Sequence, residues 1–201
     1  MKEDTFSFPS SGKFYLIAEI ANAAQGIEQN NYDLIQSAKN AGAHAIKLQF
    51  YKYDELTTPS YCKYEIYKKT FYTRQQRHNF INFAQEKTLD IWVDIFDSWG
   101  LETACACLDK ITGIKIPPTV ILDTNLVQSI VKLGKPLLLG VGGYDYKDID
   151  FVIGQLGKTK QPLCLMYGYQ GFPTPIEDTS LGRIEKLKNK YKKRDYKNKS
   201  L

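Results

Sequence analysis

Short apolar runs alternate with amphipathic stretches along the chain. The runs fall at residues 14–20 (FYLIAEI), 45–51 (AIKLQFY), 89–95 (LDIWVDI), 114–116 (IKI), 136–141 (PLLLGV) and 162–166 (PLCLM). Each has the length and branched side chains of a buried strand. Between them, apolar positions recur at helical spacing near residues 32–40, 74–87, 99–108, 125–133, 147–156 and 176–191. Six strand-then-helix units predict an α/β fold of parallel strands joined by right-handed crossovers. Gly42 and Gly134 each follow a helix and precede a strand, where a residue tolerant of positive φ ends the helix. An open doubly wound sheet and most of an eight-fold barrel fit this order equally. Either way, the chemistry belongs at the C-terminal strand ends. That rule selects Glu19, Asn22, Lys47, Gln49, Asp94, Asp97, Lys115, Thr119, the turn at 140–143, Tyr167 and Gln170.

Composition narrows the field. The 201 residues suit one domain, and 43% hydrophobic residues suffice for an ordinary core. No run of about 18 apolar residues reads as a membrane span, and the first twelve residues lack the apolar centre of a secretory signal. A soluble cytoplasmic protein with no membrane partner is expected. Cys62, Cys105, Cys107 and Cys164 are scattered, and the 105/107 spacing is too close for ordinary zinc ligation, so buried reduced thiols are expected. The net charge of +5 is a tail property. Residues 186–201 hold eight Lys or Arg and one acid, a surplus of seven, which leaves the rest at −2. Residues 192–201 thus read as a solvated, disordered basic tail after a folded unit at 1–191, and no nucleic-acid partner is expected.

Five segments carry a resemblance. Ala18-Glu19-Ile20 is similar to the "AEIG" that closes the first strand of sialic acid (N-acetylneuraminate) synthases. Residues 41–50 (AGAHAIKLQF) look like that family's "AGADAVKFQ" second strand. Lys115-Ile116 resembles its "KI(A/G)SG", and Gly134-Lys135-Pro136 its "GKP". Residues 172–181 (FPTPIEDTSL) resemble its "YPTPxEDxxL". These segments occur in the family's order, from about residue 14 to residue 191.

The resemblance implies an incomplete TIM-type (β/α) barrel of about six strand–helix units. The family condenses phosphoenolpyruvate with an N-acetylated amino sugar to a nonulosonic acid in carbohydrate biosynthesis, with a divalent metal such as manganese. It assigns Glu19, Lys47, Gln49 and Lys115 as catalytic candidates, with the two lysines reaching the phosphoenolpyruvate. Physically, two ammonium groups at neighbouring strand ends favour a small dianion or carboxylate. Gly142 and Gly143 join Lys47 and Lys115 as substrate-binding candidates, because a glycine-rich turn can cradle an anion with backbone N–H groups.

Other family positions have changed. Tyr167 stands where the family has a metal-ligand histidine, and the second such histidine lies on a seventh strand that the 201 residues do not reach. A phenol is a poor replacement for imidazole, so no metal ligand is assigned. A serine that handles phosphate becomes Pro118. The family's "STP" becomes Val93-Asp94-Ile95, which puts a carboxylate near the expected anion. Two functions follow as expectations: a divergent phosphoenolpyruvate-dependent synthase, or a non-catalytic anion- or sugar-binding module that keeps the fold. Six units do not close a barrel, so self-association or a second chain that completes it is also expected.

Overall fold

The computed structural model describes residues 6–9, 13–157, 161–171 and 173–191. Strands β1 (Ile17–Glu19), β2 (Ala45–Phe50), β3 (Asp90–Ile95), β4 (Gly113–Ile116), β5 (Leu137–Gly140) and β6 (Leu163–Met166) form one sheet in chain order, every pair parallel. A doubly wound sheet would reverse its order at a switch point. This one does not, and the fold is an incomplete α/β barrel. Among the described residues β1 pairs only with β2, and β6 only with β5.

The crossovers carry α1 (Glu28–Asn40), α2 (Tyr53–Leu56), α3 (Tyr64–Lys69), α4 (Arg74–Glu86), α5 (Ser98–Cys105), α6 (Thr124–Val131) and α7 (Tyr146–Leu156), and α8 (Gly182–Tyr191) follows β6. Side-chain caps fix where several helices begin. Thr73 and Gln76 form a reciprocal capping box on α4, and Asp97, Asp123 and Asp145 accept backbone N–H groups at the starts of α5, α6 and α7. Each such cap is worth about 1 kcal/mol. Gly42 and Gly134 take φ of +81° and +75° after α1 and α6, the conformation expected of them.

Strand alternation sorts the side chains onto two faces. Ile46, Leu48, Phe50, Ile91, Val93, Ile95, Ile114 and Ile116 point outward and pack with the inner faces of the helices in the main core. A second cluster lies on the other face, where Ala45, Trp92 and Leu138 pack with Phe6, Phe8, Tyr15, Ile17 and Cys164.

Several expectations need correcting. The first strand starts at Ile17 rather than Phe14, which is 77% exposed. The residues before Ile17 reach past the start of β2, and Leu16 O there takes the N–H groups of both His44 and Ala45. The last helix does not run from 176. A 3-10 turn at Ile176–Thr179 ends in left-handed Ser180 (φ +45°), and α8 begins only at Gly182. Two short helices, α2 and α3, interrupt the tyrosine-rich crossover. The four cysteines are free, but only Cys107 is buried, whereas Cys62 and Cys105 are exposed on a loop and at the end of α5. Burial pushes the Cys107 thiol up to about 11. Phe172 and the basic tail at 192–201 lie outside the described residues.

Candidate functional site

Register places Glu19 beside Lys47, Gln49 beside Asp94, and Asp94 beside Lys115, all on the inner face near the C-terminal strand ends. The side chains of Glu19, Lys47, Asp94 and Lys115 converge. Lys47 Nζ donates to Glu19 Oε2 and, at 2.6 Å, to Asp94 Oδ2. Lys115 Nζ approaches the same Asp94 oxygen at 3.3 Å. Asp94 (side chain 1% exposed) and Lys47 (6%) are buried, Lys115 (16%) nearly so, and Glu19 (43%) faces solvent. Asp94 Oδ1 is buried without a hydrogen-bond partner. Burial works against the Lys47 charge, but attraction to Asp94 and Glu19 and hydrogen bonds to both outweigh it, and its pKa lies above the ordinary lysine value. Two cations and two anions make a neutral cluster.

The face below is lined by aromatic and aliphatic side chains. Trp92 sits over Gly113, where a Cβ would run into the indole ring. Its Nε1 donates to Tyr15 Oη at 3.2 Å, and Phe6 and Phe8 pack against it. The polar cluster therefore stands on an aromatic floor.

Behind β2 lies Arg77. Its Nε donates to Tyr72 O at 3.1 Å, and a second nitrogen donates to Gln49 O. The guanidinium lies 5.3–5.5 Å from the ring centres of Phe50, Tyr51 and Trp99. Burial pulls its pKa down to about 10, against the attraction of Tyr51 and Asp97. Asp97 accepts from the N–H groups of Gly100 and Lys52, and burial raises its pKa. Asn22 accepts from Tyr51 Oη at 2.7 Å. Most tyrosines of this crossover pack on one another: Tyr53 meets Tyr64 and Phe71, and Tyr51 meets Tyr67.

Gly142 and Gly143 lie apart from these hydrogen bonds. A Cβ at 142 would strike Gly168 O, and one at 143 would lie 3.2 Å from Gln170 Cγ, so the loop after β6 roofs this turn. Beyond it opens a cleft of about 1080 Å³. Arg183 stands there between the rings of Tyr146 and Tyr167, at 5.6 and 5.7 Å, and donates to Tyr144 O. Thr119 is exposed in a 3-10 turn after β4.

These residues do not fit a divalent metal. Among the described residues no three His, Cys, Asp or Glu converge. Tyr167, after β6, faces the Arg183 guanidinium. His44 sits at the opposite end of the sheet, its Nδ1 taken by Leu16 N–H, and His78 lies on α4. The local chemistry is that of paired ammonium and carboxylate groups.

Three residues around the site lie outside the strand-end positions that the sequence pattern selects: Arg77, Trp92 and Arg183. Arg77 shares a helical face with Phe80, Ile81 and Ala84, a spacing that marks it as buried. Trp92 lies between Asp90 and Asp94 on the inward alternation of β3. Nothing in the sequence pattern singles out Arg183.

A six-stranded incomplete (β/α) barrel with strand-end lysines defines the class of protein. The NeuB family profile matches residues 34–195, and the chain belongs to this sialic acid synthase-like family. It is 26% identical over 200 residues to a pseudaminic acid synthase of Campylobacter jejuni, covering 92% of this chain and 58% of that protein. It is 24% identical over 196 residues to the N-acetylneuraminate-9-phosphate synthase of Drosophila melanogaster, covering 88% and 51%. The chain thus spans about half the length of the curated relatives it matches. Among solved structures, an N-acetylneuraminic acid synthetase from Leptospira borgpetersenii superposes with a TM-score of 0.84 at 21% identity, over 92% of this chain and 67% of that one. A putative spore coat polysaccharide biosynthesis protein E from Chromobacterium violaceum gives 0.81 at 22%, over 89% and 56%. At such identities the two structures speak to fold alone.

Proposed function

We propose that this chain serves sugar-acid biosynthesis in the cytoplasm as a divergent member of its family, and that Lys47 and Lys115 are its site for a phosphoenolpyruvate-type anion. The convergence of both ammonium groups from neighbouring strands on one point carries this reading. Glu19 steadies Lys47 from the solvent side, and Gln49 lies on the same face, its carbonyl fixed by Arg77. The relatives named pseudaminic acid synthase and N-acetylneuraminate-9-phosphate synthase agree with a sugar-acid product.

Asp94 already holds both lysines, so the second reading is a binding module that does not complete the condensation, favoured by those two contacts. The test is to incubate the purified chain with manganese, phosphoenolpyruvate and N-acetylmannosamine and to measure phosphate release. No turnover above the protein-free blank is expected. Sustained phosphate release with formation of a nonulosonic acid would overturn the non-catalytic part.

A further inference from the structure

We infer that Asp94 is the specificity-determining residue of this site: it serves as an internal counter-anion that competes with a bound dianion for both lysines and weakens its hold. The inference rests on the lysine pair being an anion site.

Three features carry it. Both ammonium groups spend their attraction on the same oxygen, Asp94 Oδ2, at 2.6 and 3.3 Å. With Glu19 on Lys47 as well, the cluster is neutral, so an arriving dianion meets no net positive charge to offset its dehydration. The Asp94 side chain is 1% exposed, so it cannot swing into water to vacate the site. Its second oxygen, Oδ1, is buried and unpartnered. A phosphate oxygen brought there sets lone pair against lone pair, in surroundings where like charges repel more strongly than in water. The wild-type site therefore holds a phosphoenolpyruvate-type dianion, but only weakly, because Asp94 competes for both lysines.

Asp94→Asn tests this with little change of shape. The amide oxygen still accepts from the lysines, and an N–H donor replaces the orphan acceptor. Calorimetric titration with phosphoenolpyruvate and with inorganic phosphate should show at least a tenfold gain in affinity over the wild type. The gain should vanish in Asp94→Asn/Lys115→Met. Equal affinity of wild type and Asp94→Asn, or a gain that survives loss of Lys115, would overturn the inference. The wild type alone is also decisive, because a dissociation constant for phosphoenolpyruvate below about 0.1 mM, roughly 5.5 kcal/mol of binding, contradicts a self-occupied site even if the variant fails to fold. Such tight binding would leave the anion-site reading intact. Loss of that reading would instead show as binding indifferent to Lys115→Met in the wild-type background.

Discussion

Lys47 Nζ stands 2.6 Å from Asp94 Oδ2, and both side chains are almost wholly removed from solvent. A buried ion pair adds little over an apolar pair, but removing one partner strands the other charge in a poorly solvated place. Lys47→Met should therefore cost about 3–5 kcal/mol of unfolding free energy. Glu19→Gln, at a half-exposed carboxylate, should cost less than about 1 kcal/mol. Urea denaturation of the two variants measures the difference, and equal losses would mean that Glu19, not Asp94, is the main partner.

The same pair sets a pH dependence. Because the Lys47 pKa is raised in the folded state, its contribution is complete below the ordinary lysine value of 10.5 and is lost as pH rises through the higher folded value. The stability difference between wild type and Lys47→Met should stay constant from pH 6 to pH 9 and shrink only in stronger alkali. A difference that disappears near neutrality would place the ammonium elsewhere.

Gly113 leaves the room that Trp92 occupies. Gly113→Ala should force the indole off its aromatic floor and cost about 1–3 kcal/mol, the usual range for overpacking. Tryptophan fluorescence should report a changed Trp92 environment alongside the lowered melting temperature. An unchanged melt would mean that the floor yields easily.

Arg77 bridges the carbonyls of Tyr72 and Gln49 from within an aromatic cage. A lysine there keeps the charge but lacks the planar fork. Arg77→Lys should lose about 1–3 kcal/mol, the cost of leaving a buried acceptor unmet. Thermal unfolding measures it.

β1 and β6 each have one side unpaired among the described residues, and apolar side chains such as Met166 and Ile184 are exposed near β6. A cavity of about 470 Å³ is lined in part by Leu163, Leu165, Ile184 and Leu187. Free strand edges beside apolar surface promote association. The 201-residue chain is expected to self-associate with rising concentration in light scattering. A strict monomer with a sharp melt above about 65 °C, the top of the ordinary mesophilic range, would count against this.

The order of strands and helices was legible because apolar run length and helical spacing are local properties of the chain. So were the cap positions at Gly42 and Gly134, where a positive φ is needed. The choice between an open sheet and a barrel was not legible from periodicity, since it depends on which strands pair. The motifs carried it. Asp94 could be read as a carboxylate near an anion site, but not as the group on which both lysines close. That depends on strand register and on side chains leaning along the strand, as Lys47 does. The break at Ser180 was hidden because residues 176–191 keep helical spacing through it.

Thermal melting with and without 10 mM phosphoenolpyruvate, on the wild type and on Lys115→Met, tests the anion site most directly. The variant keeps the Lys47–Asp94 pair and removes one of the two converging ammonium groups. A weak ligand at ten times its dissociation constant stabilises by about 1.4 kcal/mol. For a domain of this size that raises the melting temperature by roughly 3–5 °C. A rise of that order in the wild type, abolished in Lys115→Met, is expected. No rise in the wild type, or the same rise in both proteins, would contradict a phosphoenolpyruvate-type anion site at the strand-end lysines.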